Sequence, residues 1–265
     1  MDAIGVFDSG IGGLTVVSAL RRRLPAESIL YLGDTARLPY GSKSPETVIR
    51  YTRRNIEFLV ERGVKAVVIA CNTASALALD HLHLQAGLPL WGVIEPGARA
   101  AAAVSRGRVG VIATEATVRS DAYPQALRRL RPELAVVSRA CPLLVPLVEE
   151  GWHDDEITAR VAERYLAPLL AADIDTLVLG CTHYPLLKPV LSRIVGPGVT
   201  LVDSAEVVAE VVAEGLARAG LARESREPGT AAQHLCVTDA GASFQVVAGR
   251  ILGDPDLPLE WVEVV

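Results

Sequence analysis

Short apolar runs alternate with longer amphipathic stretches throughout the sequence. The runs are rich in Val, Ile and Leu, which predicts parallel strands that are buried on both faces. The amphipathic stretches between them predict crossover helices, and this alternation is typical of the α/β fold class. The predicted strands cover residues 4–7, 29–32, 65–70, 90–93, 109–113, 134–137, 177–179, 199–202 and 235–238.

Helix boundary signals delimit two of the amphipathic stretches. The segment Ser44-Pro45-Glu46 combines an N-cap residue, a first-turn proline and an early acidic residue, and predicts a helix that ends at Gly63. Asp154 and Asp155 predict the start of a helix that reaches about residue 172. The arginines at 21–23 are typical of a last helical turn, where cations interact favourably with the helix dipole.

Two parts of the chain repeat weakly. The segment VVIACNT at 67–73 is similar to LVLGCTH at 177–183, and IGVF at 4–7 is similar to VGVI at 109–112. The offsets of 110 and 105 residues are nearly equal, which predicts two related α/β halves with a boundary near residues 95–107.

Composition narrows the class of protein further. Half of the 265 residues are hydrophobic, which is enough for a substantial core, and the net charge of −5 argues against a dedicated nucleic-acid surface. No apolar stretch approaches the roughly 20 residues of a membrane-spanning helix. The first residues lack the features of a secretory signal, so we expect a cytoplasmic protein that contacts neither membrane nor nucleic acid.

The four cysteines divide into two pairs. They are too scattered for a disulfide framework and contain no C-x-x-C motif. Cys71 and Cys181 end equivalent predicted strands, each at an expected helix N-terminus where the thiolate is favoured. Cys141 precedes a proline and Cys236 lies in an apolar run, so we expect both to be core or loop residues.

The strand ends carry the candidate chemistry, because ligands of open α/β sheets bind beyond the carboxyl ends of the strands. Glycines at 10, 12 and 13 predict a tight turn whose N–H groups could hold a substrate carboxylate. Thiols facing each other from two domains can remove a proton from one face of a carbon and deliver one to the other. Asp8 and His183 are the expected neighbours that assist them.

Four segments resemble the signature segments of the glutamate racemases, in the aspartate/glutamate racemase superfamily. They are IGVFDSGIGGLTV at 4–16, GDTARLPYG at 33–41, ACNTAS at 70–75 and GCTHYPLL at 180–187. The resemblance implies a cofactor-independent, two-base isomerase that supplies D-glutamate for the bacterial cell wall. It also implies a homodimer without a bound metal.

The resemblance further implies roles for individual residues. Cys71 and Cys181 would be the two acid/base thiols, with Asp8, His183 and Glu149 as assisting catalytic groups and Glu149 on the Cys181 side. The implied fold has two similar Rossmann-like or flavodoxin-like domains, residues 1–95 with 207–265 and residues 96–206, and an active site between them. The substrate site would be lined by Asp8, Ser9, Tyr40, Gly41, Asn72, Thr73, Thr182 and His183.

Other functions remain open at this point. An aspartate racemase is the nearest alternative, because the sequence does not show the dimensions of the pocket. A thiol hydrolase would use Cys71 with His183 and Asp8 and would need only one cysteine. A metal site at Cys71, Cys181 and His183 lacks standard ligand spacing, and a non-catalytic amino-acid-binding protein would show no isotope exchange.

Overall fold

Parallel strands form the framework of the structure, a computed structural model that describes residues 2–82, 87–223, 231–239, 241–254 and 258–264. In that part of the chain no helix is both long enough and apolar enough to cross a membrane. The strands are β1 (Ile4–Asp8), β2 (Ile29–Gly33), β3 (Ala66–Ile69), β4 (Leu90–Gly92), β5 (Arg108–Ala113), β6 (Ala135–Ala140), β7 (Thr176–Gly180), β8 (Thr200–Asp203), β9 (Gln233–Val237) and β10 (Leu259–Trp261).

Helices cover both faces of these strands. They are α1 (Leu14–Arg23), α2 (Pro45–Glu61), α3 (Asn72–Leu82), α4 (Ile94–Val104), α5 (Glu115–Arg119), α6 (Ala122–Leu130), α7 (Leu144–Glu149), α8 (Glu156–Ala171), α9 (Lys188–Val195), α10 (Ser204–Arg218) and α11 (Ala242–Leu252). The predicted start of α2 is confirmed, because the Ser44 hydroxyl accepts the Thr47 N–H. Asp155 likewise caps α8.

The strands form two sheets of the same design. The first has the order β10-β9-β2-β1-β3-β4 and the second β6-β5-β7-β8, with every pair parallel. The order 2-1-3-4 therefore occurs twice, with β5 to β8 in the places of β1 to β4. This confirms the predicted α/β class with two similar, mainly parallel sheets. The domain boundaries at 95/96 and 206/207 stay a prediction.

Side chains on opposite faces of a strand enter different cores, as the two-residue period of a strand requires. Val6 packs with residues of α1, α10 and α11, whereas Phe7 packs with residues of α2 and α3. In the second sheet Val111 faces α4 and α6, and Ile112 faces α7, α8 and α9. Because both sheets are covered on both faces, their strand ends are the positions left for a site.

Two strands depart from the prediction of burial on both faces. Every other residue of β6 is exposed, and in β8 only Val202 is buried. Both strands lie at an edge of the second sheet, where only one neighbour covers them. The strand β10 was not predicted.

The chain crosses between the sheets twice. It leaves the first sheet through α4 and returns from β8 through α10, which packs against both α1 and α4. After α10 the chain adds β9 beside β2, in register from Ile29 opposite Gln233. The carboxyl ends of β1 and β3 therefore lie across a cleft from those of β5 and β7.

Candidate active site

A small cavity lies in this cleft, with a volume of about 20 Å³. Its lining comes from both halves of the molecule. Nine of the predicted site residues line it, namely Ser9, Tyr40, Gly41, Cys71, Asn72, Thr73, Cys181, Thr182 and His183. The remaining lining residues were not predicted, and they are Leu38, Pro39, Thr114 and Val145.

Cys71 follows β3 and is 4% exposed. Its thiol donates a hydrogen bond to the Ser9 hydroxyl, with 3.5 Å between Sγ and Oγ. Burial and the nearby charge of Asp8 raise the pKa of Cys71 to about 12, opposed by its hydrogen bonds with the Ser9 hydroxyl and the Ala74 N–H. The predicted preference for thiolate is therefore wrong for Cys71, because burial outweighs the helix N-terminus, and the group is a thiol at neutral pH.

Cys181 follows β7 at the equivalent position of the second sheet, but no α-helix begins beside it. A turn and a short 3-10 helix separate it from α9, so the helix N-terminus expected there is absent. Its neighbour is His183, whose Nδ1 lies 3.8 Å from the Cys181 Sγ and whose Nε2 lies 3.1 Å from Glu149 Oε1.

Glu149, His183 and Cys181 thus form a chain of hydrogen-bonding groups. Burial disfavours the charge of the imidazole, but the hydrogen bonds with Cys181 and Glu149 outweigh it and raise the pKa of His183 to about 10. A protonated imidazole beside a sulfur favours the thiolate. Glu149 does not line the cavity of the cysteines; it borders a neighbouring cavity of about 200 Å³ that shares Leu38 with it.

Asp8 lies beneath the site rather than in it. Its Oδ2 accepts the Gly10 N–H at 3.0 Å and its Oδ1 accepts the Thr182 hydroxyl at 3.3 Å, which links the two halves. Burial raises the pKa of Asp8, opposed by the charge of His183 and by the N–H groups of the glycine loop. The group that this loop binds in the structure is therefore the side chain of Asp8.

Tyr40 borders the cavity, but its hydroxyl is engaged elsewhere. It donates to Asp34 and accepts from Asn55 Nδ2 at 3.0 Å. If the segment 40–41 forms a hydrogen bond with a ligand, its backbone must therefore provide the group, and the predicted site residue Gly41 lines the cavity there. A Cβ at Gly41 would lie 2.5 Å from the Thr114 Cβ, so only glycine allows this approach between the halves.

Three threonine hydroxyls meet at the same boundary. Thr73 Oγ1 lies 2.9 Å from Thr114 Oγ1 and 3.2 Å from Thr117 Oγ1. The repeat contained the signal for Thr114, because it stands 105 residues after Ser9, the offset that relates β1 to β5. Adding 105 to the number of each residue at the carboxyl end of β1 would have identified Thr114 as a candidate.

The other two cysteines belong to the cores, as predicted. Cys141 packs among α7, α8 and α9, and Cys236 packs on the α2 side of the first sheet. Burial raises the pKa of each to about 12. Within the described residues, no three His, Cys, Asp or Glu side chains are grouped so that they could hold a metal ion.

Comparisons with known proteins agree on one family. The Asp/Glu/hydantoin racemase family matches residues 4–212. A glutamate racemase of Geobacter metallireducens is 56% identical over 252 residues, which are 95% of this chain and 93% of that protein. The structure of glutamate racemase isoform RacE1 from Bacillus anthracis has a TM-score of 0.94 and 41% identity, covering 99% of this chain and 98% of that one. A glutamate racemase from Francisella tularensis, solved with D-glutamate, has a TM-score of 0.91 and 37% identity over 99% and 97% of the two chains.

Proposed function

This chain belongs to the Asp/Glu/hydantoin racemase family, and we propose that it interconverts L- and D-glutamate with Cys71 and Cys181 as the two proton-transfer groups. One observation carries the proposal. The two thiols end equivalent strands of two like sheets and line the same cavity from opposite halves. Two groups so arranged can reach both faces of one carbon.

The surroundings of the two thiols differ. The imidazole of His183 lies beside Cys181, with 3.8 Å between Nδ1 and Sγ, whereas burial keeps the proton on Cys71. The Cys181 thiolate removes the α-proton of the bound amino acid, and the electrons of the broken C–H bond stay on the α-carbon. The Cys71 thiol then delivers its proton to the opposite face. Cys181 ends as a thiol and Cys71 as a thiolate, which is the starting state of the reverse reaction.

The carbanion-like transition state needs stabilisation, because an α-proton is very weakly acidic. Hydroxyls of Ser9 and Thr73 and the backbone near Gly41 line the cavity and can donate hydrogen bonds to the α-carboxylate as charge develops on it. Such donors are most effective where water is excluded, and the cavity holds space for about one water molecule. We therefore propose that inversion proceeds without a cofactor.

Glutamate is the proposed substrate because the similar proteins compared above are glutamate racemases, and this chain matches them over nearly their whole length. Aspartate is the alternative, since its side chain is only one methylene shorter. Polarimetry on L-glutamate and L-aspartate in parallel distinguishes them. We expect rotation to decay to zero with glutamate; faster decay with aspartate would overturn the assignment.

Replacing each cysteine tests the two-base mechanism. We expect Cys71→Ser and Cys181→Ser each to lower kcat by roughly a thousandfold or more, because a serine hydroxyl is a far weaker acid and base than a thiol. In D₂O the product formed from either enantiomer should carry deuterium at the α-carbon. Cys236→Ser is the matched control, because that thiol already donates to a carboxylate, that of Glu260, far from the cavity.

A thiol hydrolase is the second candidate, but its catalytic residues would differ from the predicted set of Cys71, His183 and Asp8. His183 contacts Cys181 and not Cys71, so the nucleophile, base and orienting acid would be Cys181, His183 and Glu149. Such an enzyme would tolerate Cys71→Ser and form an acyl-enzyme. Full activity of Cys71→Ser would therefore refute the racemase mechanism and favour the hydrolase.

The cellular role follows from the same proposal. A glutamate racemase without a membrane or nucleic-acid partner would work in the cytoplasm and supply D-glutamate for peptidoglycan. We also propose a homodimer, as the family resemblance implies. Sedimentation equilibrium at micromolar concentration measures this directly, and a mass of one chain would refute it.

A further inference from the structure

Tyr123 connects the two halves of the molecule directly beside the cavity. It lies in α6, on the second sheet, and is 1% exposed. Its hydroxyl donates to Asn72 Oδ1 at 2.7 Å, and Asn72 begins α3 on the first sheet. Tyr123 does not line the cavity and was not among the predicted site residues.

The direction of this hydrogen bond fixes the orientation of the Asn72 amide. The Ser204 side chain also forms a hydrogen bond with the Tyr123 hydroxyl. This bond opposes the rise that burial causes in the pKa of Tyr123. Because the Tyr123 hydroxyl donates to Asn72 Oδ1, the carbonyl end of the amide faces the tyrosine.

The other end of the amide is then left for a ligand. Asn72 is 2% exposed and lines the cavity, and its Nδ2 is a buried donor without a partner among the residues the structure describes. A buried donor that lacks an acceptor costs free energy, and native proteins rarely keep one without a reason. A carboxylate oxygen of a bound amino acid would satisfy it.

We propose that Tyr123 is a positioning residue, which holds the Asn72 amide so that Nδ2 donates to a carboxylate oxygen of the substrate. The inference rests on the proposed function, and it assigns Tyr123 a task in substrate binding without contact to the substrate. The position of Tyr123 also depends on both chain crossings. Ser204 begins α10, and a Cβ on Gly97 in α4 would lie 3.0 Å from the Tyr123 hydroxyl oxygen.

Tyr123→Phe tests the proposal, since it removes the hydroxyl and leaves the ring in the core. We expect KM for glutamate to rise about tenfold with kcat changed less than about twofold, because a ground-state contact that persists in the transition state acts on KM. A merely structural loss would instead lower the melting temperature and the active fraction. Thr176→Val is the control, since it removes a buried hydroxyl bonded to Asp175 at the opposite end of β7.

A double-mutant cycle with Asn72→Ala decides whether Tyr123 acts through Asn72. We expect Tyr123→Phe to add less than about twofold to KM in the Asn72→Ala protein. A full tenfold addition, or an unchanged KM in the single variant, would overturn the proposal. Gly97→Ala is a second variant that displaces the hydroxyl without removing it, and it should raise KM as well. If the unmodified protein does not racemise glutamate, the proposed function has failed, and that outcome is distinct from an active protein with an insensitive KM.

Discussion

His183 is held between two groups that both favour its charged form. The Cys181 sulfur lies on one side of the ring and the Glu149 carboxylate on the other, and His183 itself is 2% exposed. Because the pKa of His183 rises from 6.5 to about 10, its charge stabilises the fold. That contribution is complete below pH 6.5 and is lost as the pH rises through about 10.

Replacing Glu149 should make His183 lose its proton, and the stability that its charge contributes, at a lower pH. Glu149→Gln removes one of the two partners of the imidazolium, so the folded-state pKa of His183 falls toward 6.5. We expect the alkaline limb of kcat/KM to shift downward by about one pH unit, the size of a typical hydrogen bond to a charged group. Glutamate's own ammonium titrates identically with both proteins, so the difference between the pH profiles reports the enzyme.

The adjacent Glu150 provides the matched control. It is exposed, and Glu150→Gln makes the same change of charge one residue away. Its pH profile should coincide with that of the unmodified protein. An alkaline limb that does not move in Glu149→Gln would contradict the role of Glu149 at His183.

Residues of the site could be predicted where a local motif or the repeat marked them. Cys71 and Cys181 stood out because each ends the same strand of a repeated unit. Tyr123 could not be found in this way, because its partner Asn72 is 51 residues away and no local pattern connects them. The direction of the Tyr40 hydroxyl was equally hidden, since it depends on Asp34 and Asn55.

A buried ion pair ties together elements at the opposite end of the first sheet. Lys65, just before β3, lies 2.7 Å from Glu27, just before β2, and both side chains are at most 5% exposed. Lys65 also donates to the Leu221 carbonyl, and Glu27 accepts the Arg223 N–H. The segment that follows α10 is thereby fixed to the first sheet.

Removing one partner should be far more harmful than removing both. Lys65→Met leaves the Glu27 carboxylate buried without its cation, and we expect a loss of about 3–5 kcal/mol in the free energy of unfolding, measured in urea. The double variant Lys65→Met with Glu27→Leu should recover part of this loss. A Lys65→Met protein as stable as the unmodified one would show that water reaches Glu27.

Elements with complete boundary signals were predicted well, whereas the exposure of the edge strands β6 and β8 and the presence of the edge strand β10 were not. The signals of α2 lie within a few residues of one another, so the sequence around Ser44 was sufficient. The exposure of β6 depends on which strand lies beside it, and β10 exists because β9 offers it an edge. The local sequence of β6 or β10 does not show which strand will lie beside it.

At the scale of the whole molecule, the two halves must separate for a substrate to enter. A cavity of about 20 Å³ accepts roughly one water molecule, which is far less than an amino acid. The halves touch closely through Gly12, since a Cβ there would lie 2.7 Å from His183 Nδ1 and 2.8 Å from the backbone of Thr182.

Gly12→Ala should therefore hold the halves apart. Alanine can adopt the backbone conformation of Gly12, so the effect comes from the space that its methyl group needs. We expect kcat/KM to fall by about a hundredfold, the effect of misplacing reacting groups by about 1 Å, with a larger radius of gyration in small-angle scattering. Gly198→Ala makes the same change where a Cβ meets nothing within 4 Å, and it should leave both quantities unchanged.

The pairing of β9 with β2 sets an order for folding during synthesis. The second sheet uses one continuous stretch of chain, from β5 to β8, and can form as soon as that stretch has left the ribosome. The first sheet begins earlier but waits, because β2 keeps an open edge until Gln233 arrives opposite Ile29. The apolar residues that α11 covers also wait for it. The half that is translated first is therefore completed last, and the nascent protein carries an unfinished sheet beside a finished one.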